Sequence, residues 1–193
     1  MIDYIKGTII QITPAFLTIE TSGVGYFINI SLTSYSKLEG KKEYKLLVHE
    51  VIREDSHQLF GFADREEREI FRLLISVTGV GASTARVMLS SLSPSEIEKA
   101  ILESEVNTLK GVKGVGLKTA QRIIFDLKDK LGKHAITGEI FPFSDNTRRE
   151  EALSALVMLG FAKGAVIKVL DTILKENKDL SVEDLIKRVL KSL

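Results

Sequence analysis

Residues 109–123 read LKGVKGVGLKTAQRI, and residues 74–88 read LISVTGVGASTARVM. Aligned at an offset of 35 positions, the two stretches share Val77/Val112, Gly79/Gly114, Val80/Val115, Gly81/Gly116, Thr84/Thr119 and Ala85/Ala120, and a little further on Leu92/Leu127. Identity at turn-forming and small residues inside the same helical pattern marks a duplicated structural unit. In each copy a helix ends, at Val77 or Lys110, and a tight turn follows in which glycine permits positive φ. The second glycine leaves room for a ligand beside the backbone. A new helix then begins, with free N–H groups and the positive end of its dipole outward, and Ala85 or Ala120 lets it pack closely on the helix before. Such an end binds anions without reading bases. A ligand-free helical hairpin with a glycine turn has the same letters. The second copy adds Lys113, Lys118 and Arg122, which favours nucleic acid.

Two nucleotide-binding readings fail. GVKGVGLKT nearly spells a P-loop, but Leu117 stands between the last glycine and Lys118, and no strand precedes Gly111. A dinucleotide fingerprint fails for want of the same strand. A third Gly-Val-Gly, at 23–25 in TSGVGYFINI, lies between strand-like runs and reads as a strand turn.

Working outward, 2–12, 15–21, 24–32, 44–52 and 57–63 are rich in Ile, Val, Tyr, Phe and Thr, with partial alternation. Five short strands within 1–64 fit an OB-fold β-barrel. From residue 65 the period turns helical, with helices expected at 65–77, 82–92, 94–103, 105–111 and 117–131. Ser93, Pro94 and Glu96 spell a capping box with proline at the first helical position. Residues 65–131 thus form a tandem-hairpin domain. Periodicity fades over 132–146, GKHAITGEIFPFSDN, which reads as a linker. Thr147 and Glu150 suggest a second capping box, and 147–193 fits three short helices. The fold class is α+β and multidomain.

Composition narrows function. The chain has 193 residues with 44% hydrophobic and 27% charged, an ordinary globular balance. It has no cysteine, which excludes disulfides, thiolate zinc sites, iron–sulfur clusters and a cysteine nucleophile. No run is long and apolar enough to cross a bilayer and no basic start leads into an apolar leader, so a soluble intracellular protein is expected. Residues 65–135 carry twelve Lys/Arg against nine Asp/Glu, whereas 1–64 carry six against eight. The excess concentrates at Lys110, Lys113, Lys118, Arg122, Lys128, Lys130 and Lys133, with only Asp126 and Asp129 opposed. It is the one charge signal that would attract a polyanion. His49, His57 and His134 have no metal-ligand spacing, and no nucleophile–base pair is visible. Neither a catalytic residue nor a cofactor or metal is expected.

The hairpins TGVGASTA and KGVGLKTA resemble tandem helix-hairpin-helix DNA-binding motifs. Between a five-stranded barrel and a small helical bundle, and with GVGY, REDSHQLFGF and ALVMLGF in place, the whole chain resembles the RuvA family of bacterial Holliday junction-binding proteins. The resemblance implies a non-catalytic, cytoplasmic homotetramer or octamer that holds four-way DNA open in recombination, repair and the SOS response to DNA damage. It implies the RuvB ATPase as partner, with the RuvC resolvase as a further one. DNA contacts carry over to Gly79, Val80, Gly81, Ser83 and Arg86 in the first hairpin. In the second they carry over to Gly114, Val115, Gly116, Lys118, Thr119 and Arg122. The first hairpin departs from the pattern, lacking a lysine just after its second glycine. The family's acidic pin falls on Glu54 and Asp55, adjacent carboxylates in an expected hairpin turn. The tail resembles a UBA-like three-helix bundle, with Leu159, Phe161, Leu170 and Ile173 as contact candidates that would serve equally well as core.

Two alternatives remain on the residues alone. A helix-hairpin-helix glycosylase would need a catalytic Asp downstream of the hairpin and beside a flipped-base pocket, and between 130 and 150 the only acid apart from Glu139 and Glu150 is Asp145, in the expected linker. A general DNA adaptor without junction preference has the same hairpins, because preference comes from symmetry.

Overall fold

The computed structural model describes residues 1–137, 146–177 and 180–192. They form two compact units, Met1–Gly138 and Glu139–Leu193.

The first unit opens with β1 (Tyr4–Ile12), β2 (Phe16–Thr21), β3 (Val24–Ile30), α1 (Leu32–Leu38), β4 (Glu43–Ile52) and β5 (His57–Phe62). The strands close into a barrel in the order β1-β2-β3-β5-β4, the order of an OB-fold, antiparallel except for the β3–β5 pair. Alternation puts Leu17, Ile19, Ile28, Ile30, Leu46 and Val48 inside at essentially zero exposure. Ser22 and Gly23 both take positive φ between β2 and β3, as a two-residue hairpin turn requires. The Gly-Val-Gly at 23–25 therefore belongs to a strand turn.

Helix α1 departs from the expectation of a strand to residue 32 and no helix within 1–64. Ser31 caps it by accepting the Ser34 amide at 2.9 Å. Its Ser- and Thr-rich sequence has weak helix propensity, and tertiary contacts compensate. Ser31 and Ser34 both donate to the buried carboxylate of Glu67, the latter at 2.6 Å. Thr33 donates to Leu89 O at 2.6 Å.

Helices α2 (Arg65–Ile75), α3 (Ala82–Ser91), α4 (Pro94–Leu102), α5 (Val106–Lys110) and α6 (Leu117–Thr137) follow. The Ser93/Glu96 capping box is formed, with Pro94 at the start of α4. Barrel and helices share a core: Phe71 of α2 lies 5.2 Å from Phe60 and 4.9 Å from Phe62 between ring centroids. The Arg68 guanidinium crosses to Asp3, donating to its backbone oxygen at 3.0 Å and its carboxylate at 2.7 Å. Helix α6 runs on to Thr137, into the stretch expected as linker from residue 132. A single glycine costs a helix about 1 kcal/mol relative to alanine, too little to stop one already propagating. Residues 138–145 of that expected linker lie outside the described residues.

The second unit is a bundle of α7 (Asn146–Met158), α8 (Lys163–Glu176) and α9 (Val182–Ser192), built on Ala152, Leu156, Val166, Leu170, Leu185 and Val189. The side chains of the expected Thr147/Glu150 capping box lie outside the described residues. Helix α7 ends in a Schellman motif: Gly160 has φ 98°, its N–H donates to Val157 O, and Phe161 N–H donates to Leu156 O.

Candidate nucleic-acid interface

The two hairpins repeat one another bond for bond. In the first, Val77 N–H donates to Leu74 O at 3.1 Å, Val80 to Val77 at 3.0 Å and Ala85 to Gly81 at 2.9 Å. In the second, the same steps run from Val112 to Leu109 at 3.2 Å, Val115 to Val112 at 3.0 Å and Ala120 to Gly116 at 2.9 Å. Gly79 has φ 95° and Gly114 φ 90°, so the first glycine of each copy is dictated by the backbone. Val80 and Val115 are buried. Their side chains anchor the turn, and only their backbone is left to meet a ligand. Ala85 and Ala120 are fully buried, which allows the close helix approach.

The second glycine has no such internal cause. Gly81 sits at φ −84°, ψ 164°, extended backbone open to any residue. A Cβ placed on Gly81 or Gly116 would meet nothing within 4 Å. Neither folding strain nor packing asks for glycine there. What a side chain would do is occupy the space in front of the first amides of α3 and α6, which a helix leaves without internal partners. Gly81, the N-cap of α3, supplies no side-chain cap. The arrangement suits an anion that closes on the backbone from outside.

Side chains around the turns divide the expected contacts. Ser83, Lys118 and Arg122 are exposed and Thr119 is half-buried at the start of α6. Arg122 keeps a loose i,i+4 pair with Asp126 at 3.6 Å, which an exposed phosphate would outcompete. Arg86 already has partners within the protein. It donates to Ala15 O at 2.8 Å and Asn29 Oδ1 at 3.4 Å, so it fastens α3 to the barrel. Its partners lie 71 and 57 positions away in the chain, beyond the reach of any local pattern. Ser83 is thus the exposed polar side chain at the start of α3, and Arg86, the cation of that helix, is hydrogen-bonded to the barrel.

Glu54 and Asp55 are exposed in the turn between β4 and β5, closed by Arg53 N–H to Ser56 O at 2.8 Å. An open groove of about 330 Å³ runs between this hairpin and the first glycine turn, lined by His49, Arg53, Ile75, Gly81 and Ala82 among others. Burial, helped by Arg72 and Arg68, pushes the His49 imidazole below its ordinary pKa. It stands edge-on to Phe71 at 5.5 Å and is neutral at physiological pH. The groove thus meets solvent with Arg53 as its cation. Among the described residues no group of three His, Asp or Glu could hold a metal.

In the bundle, Leu170 is fully buried and Ile173 is 8% exposed, so both belong to the core and not to a contact surface. Facing inward is the cost of helical spacing in a bundle this small. Leu159 and Phe161 are exposed, and with them Val157 and Met158, the latter at 86%. The Schellman turn holds this run of apolar side chains outward. Met158 was legible as the first letter of MLGF, but exposure was not.

The RuvA N terminal domain family matches residues 1–61, the SAM-like helix-hairpin-helix tandem 71–129, and the RuvA C-terminal domain 147–193. Curated relatives match along their whole length. The Holliday junction branch migration complex subunit RuvA of Christiangramia forsetii is 50% identical over 193 residues, covering all of both chains. That of Bacteroides fragilis is 50% identical over 201 aligned positions, and that of Porphyromonas gingivalis 48% over 202, again covering all of both chains. A barrel, a hairpin pair and a bundle matched in this order, with half of the residues shared end to end, make the chain a member of the RuvA family.

Proposed function

We propose that this chain is the DNA-binding subunit of a Holliday junction branch migration complex. It grips the backbones of four-way DNA through its paired hairpins and hands the junction to a RuvB-type ATPase. The observation that carries the reading is the pair of glycines at 81 and 116, which the fold leaves free and which an approaching phosphate requires. Recognition through backbone amides and Lys118, Arg122 and Ser83 positions DNA without reading sequence, as a protein acting on junctions of any sequence must.

The acidic turn supplies discrimination. Glu54 and Asp55 project from the barrel toward solvent beside the first hairpin. In a fourfold assembly they would bring eight carboxylates to the centre. Continuous duplex crossing that centre would meet them with its phosphates, whereas an open crossover would pass its strands between them. RuvA is the non-catalytic subunit of its complex, so the ATPase partner does the work of migration. Val157, Met158, Leu159 and Phe161 form the exposed apolar patch on which that partner would dock, since contiguous exposed hydrophobics of this kind mark protein contacts.

The test is reconstitution. A mobile synthetic junction is incubated with this chain, a RuvB ATPase and ATP. Conversion to duplex products that needs both proteins supports the reading. Conversion at the same rate by the ATPase alone would refute it.

A further inference from the structure

The acidic turn stands on an arm that the sheet supports on neither edge; Val51 packs on the helical core and Leu59 is buried in the barrel at its base. Strand β1 accompanies β4 only as far as Tyr4–Leu47, with one more bond from Val48 N–H to Asp3 O at 2.9 Å. On the other side β3 reaches β5 only at Asn29–Phe60 and Ile30–Gly61. From Glu50 to Leu59 the two strands pair only with one another in the sheet. Grooves flank the arm on both sides, one lined by Arg53 and Gly81 and the other by Ile2, Phe27 and His57. A bare two-stranded hairpin is marginal in water, so an arm that is to hold two carboxylates in one place needs a clasp.

Glu50 occupies the position of such a clasp. Its side chain is 11% exposed. One carboxylate oxygen accepts from His57 Nε2–H on the opposite strand at 2.8 Å, and the other accepts the Ile2 amide at 3.2 Å. The Met1 nitrogen lies 3.8 Å from the latter oxygen. The hydrogen bond from His57, followed by that from Ile2, holds the Glu50 carboxyl below the ordinary glutamate range, so it accepts as an anion at neutral pH, the stronger form of the bond. Next to Ile2, Asp3 receives the Arg68 guanidinium from α2. A continuous run of contacts therefore leads from the helix before the first hairpin, through residues 2 and 3, to the base of the acidic arm.

We propose that Glu50 is a positioning residue for junction selectivity: by joining His57 to the chain ahead of β1, it fixes the arm that carries Glu54 and Asp55. The inference rests on the reading of those two carboxylates as a barrier to continuous duplex. With the clasp removed, the arm swings aside under phosphate repulsion and the barrier falls, while the hairpins that grip DNA are untouched.

The experiment uses the full chain with Glu50→Ala, Glu50→Gln and His57→Phe, a synthetic four-way junction, and linear duplex of equal length. Glu50→Ala and His57→Phe should tighten duplex binding by about tenfold, within the range of coupling between sites, and leave junction affinity within about twofold, a change too small to signify against such coupling. Glu50→Gln should keep the wild-type preference, because an amide still accepts from Ile2 and can donate to the other histidine tautomer. A merely structural glutamate would weaken both DNA complexes together as the fold loosened, and tighter duplex binding is not open to it. Unchanged discrimination in both clasp variants, or parallel loss of both complexes, would overturn the inference while the wild type still discriminates. A wild type without junction preference would overturn the junction reading and this inference with it.

Discussion

Alanine at the two glycines of the second hairpin should separate folding from binding. Gly114 has φ 90°, and an L-residue held in the left-handed region costs roughly 1–2 kcal/mol. For a chain of this size each kcal/mol lowers Tm by about 2–4 °C, so Gly114→Ala should melt a few degrees early. Gly116 lies outside the left-handed range and its Cβ would meet nothing within 4 Å. There the substitution restricts only the unfolded chain, which stabilises a protein by about 0.4–1 kcal/mol. Gly116→Ala should therefore melt at or slightly above the wild-type temperature. Its methyl group nonetheless stands where a phosphate oxygen must come to reach the first amides of α6. Each bond from an amide to a charged oxygen contributes about 1.5–3 kcal/mol, so junction affinity should fall at least tenfold, and further if several subunits bind at once. Thermal unfolding and junction titration on the same preparations read both quantities. A Gly116→Ala protein that binds as tightly as wild type would refute the claim that DNA closes on this backbone. Early melting would refute the claim that the fold leaves the position free.

Other expectations follow from the same geometry. In the proposed fourfold assembly, two hairpins on each subunit would engage about eight phosphates, so the slope of log K against log salt should not exceed about −7, and should be shallower because amides displace fewer counterions than lysines. A steeper slope, from titrations across a salt series, would mean that lysines and not amides dominate. Burial raises the Glu67 pKa above its ordinary value of 4.5, against hydrogen bonds from Ser31 and Ser34 that lower it. The folded state therefore keeps this proton where the unfolded chain has released it, and the stability of wild type relative to Glu67→Gln should fall as pH rises from that value through the folded pKa. A wild-type-minus-variant Tm difference that is flat or rises over that window would contradict the burial argument. In the bundle, Leu170→Ala should cost about 2–5 kcal/mol as a cavity in a fully buried site, read as loss of helical signal on heating. Met158→Ala with Leu159→Ala should leave stability near wild type and reduce capture of the ATPase partner, read by pull-down.

The hairpins were legible in sequence because their form is set by local rules: a glycine where φ must be positive, a buried valine at 80 and 115, a buried alanine at 85 and 120. Duplication made the signal stand above chance. The barrel was legible for a similar reason, since alternation and turn residues fix five strands. What escaped depends on partners far apart in the chain. Glu67, in the charged run DREERE, looks like a solvated face, yet it is buried against Ser31, the N-cap of α1, and Ser34 within it, more than thirty positions away. Arg86 reads as a phosphate ligand one turn into α3, and its hydrogen bond to Ala15 O of the barrel is not legible from the local pattern. Leu170 and Leu159 are equally apolar, and only the path of α8 and the Schellman turn decide which one faces water. Glu50 and His57 are not legible as a pair in the sequence, because cross-strand diagonals exist only once the register is known.

The most direct test of the central claim is binding to a synthetic four-way junction against linear duplex of the same length, at low and moderate salt. The account predicts a junction preference of at least about a hundredfold that persists at the higher salt, since backbone gripping and a repelling centre depend on shape more than on net charge. Equal affinities that collapse together as salt rises would contradict it, and would leave a tandem-hairpin protein that holds any DNA.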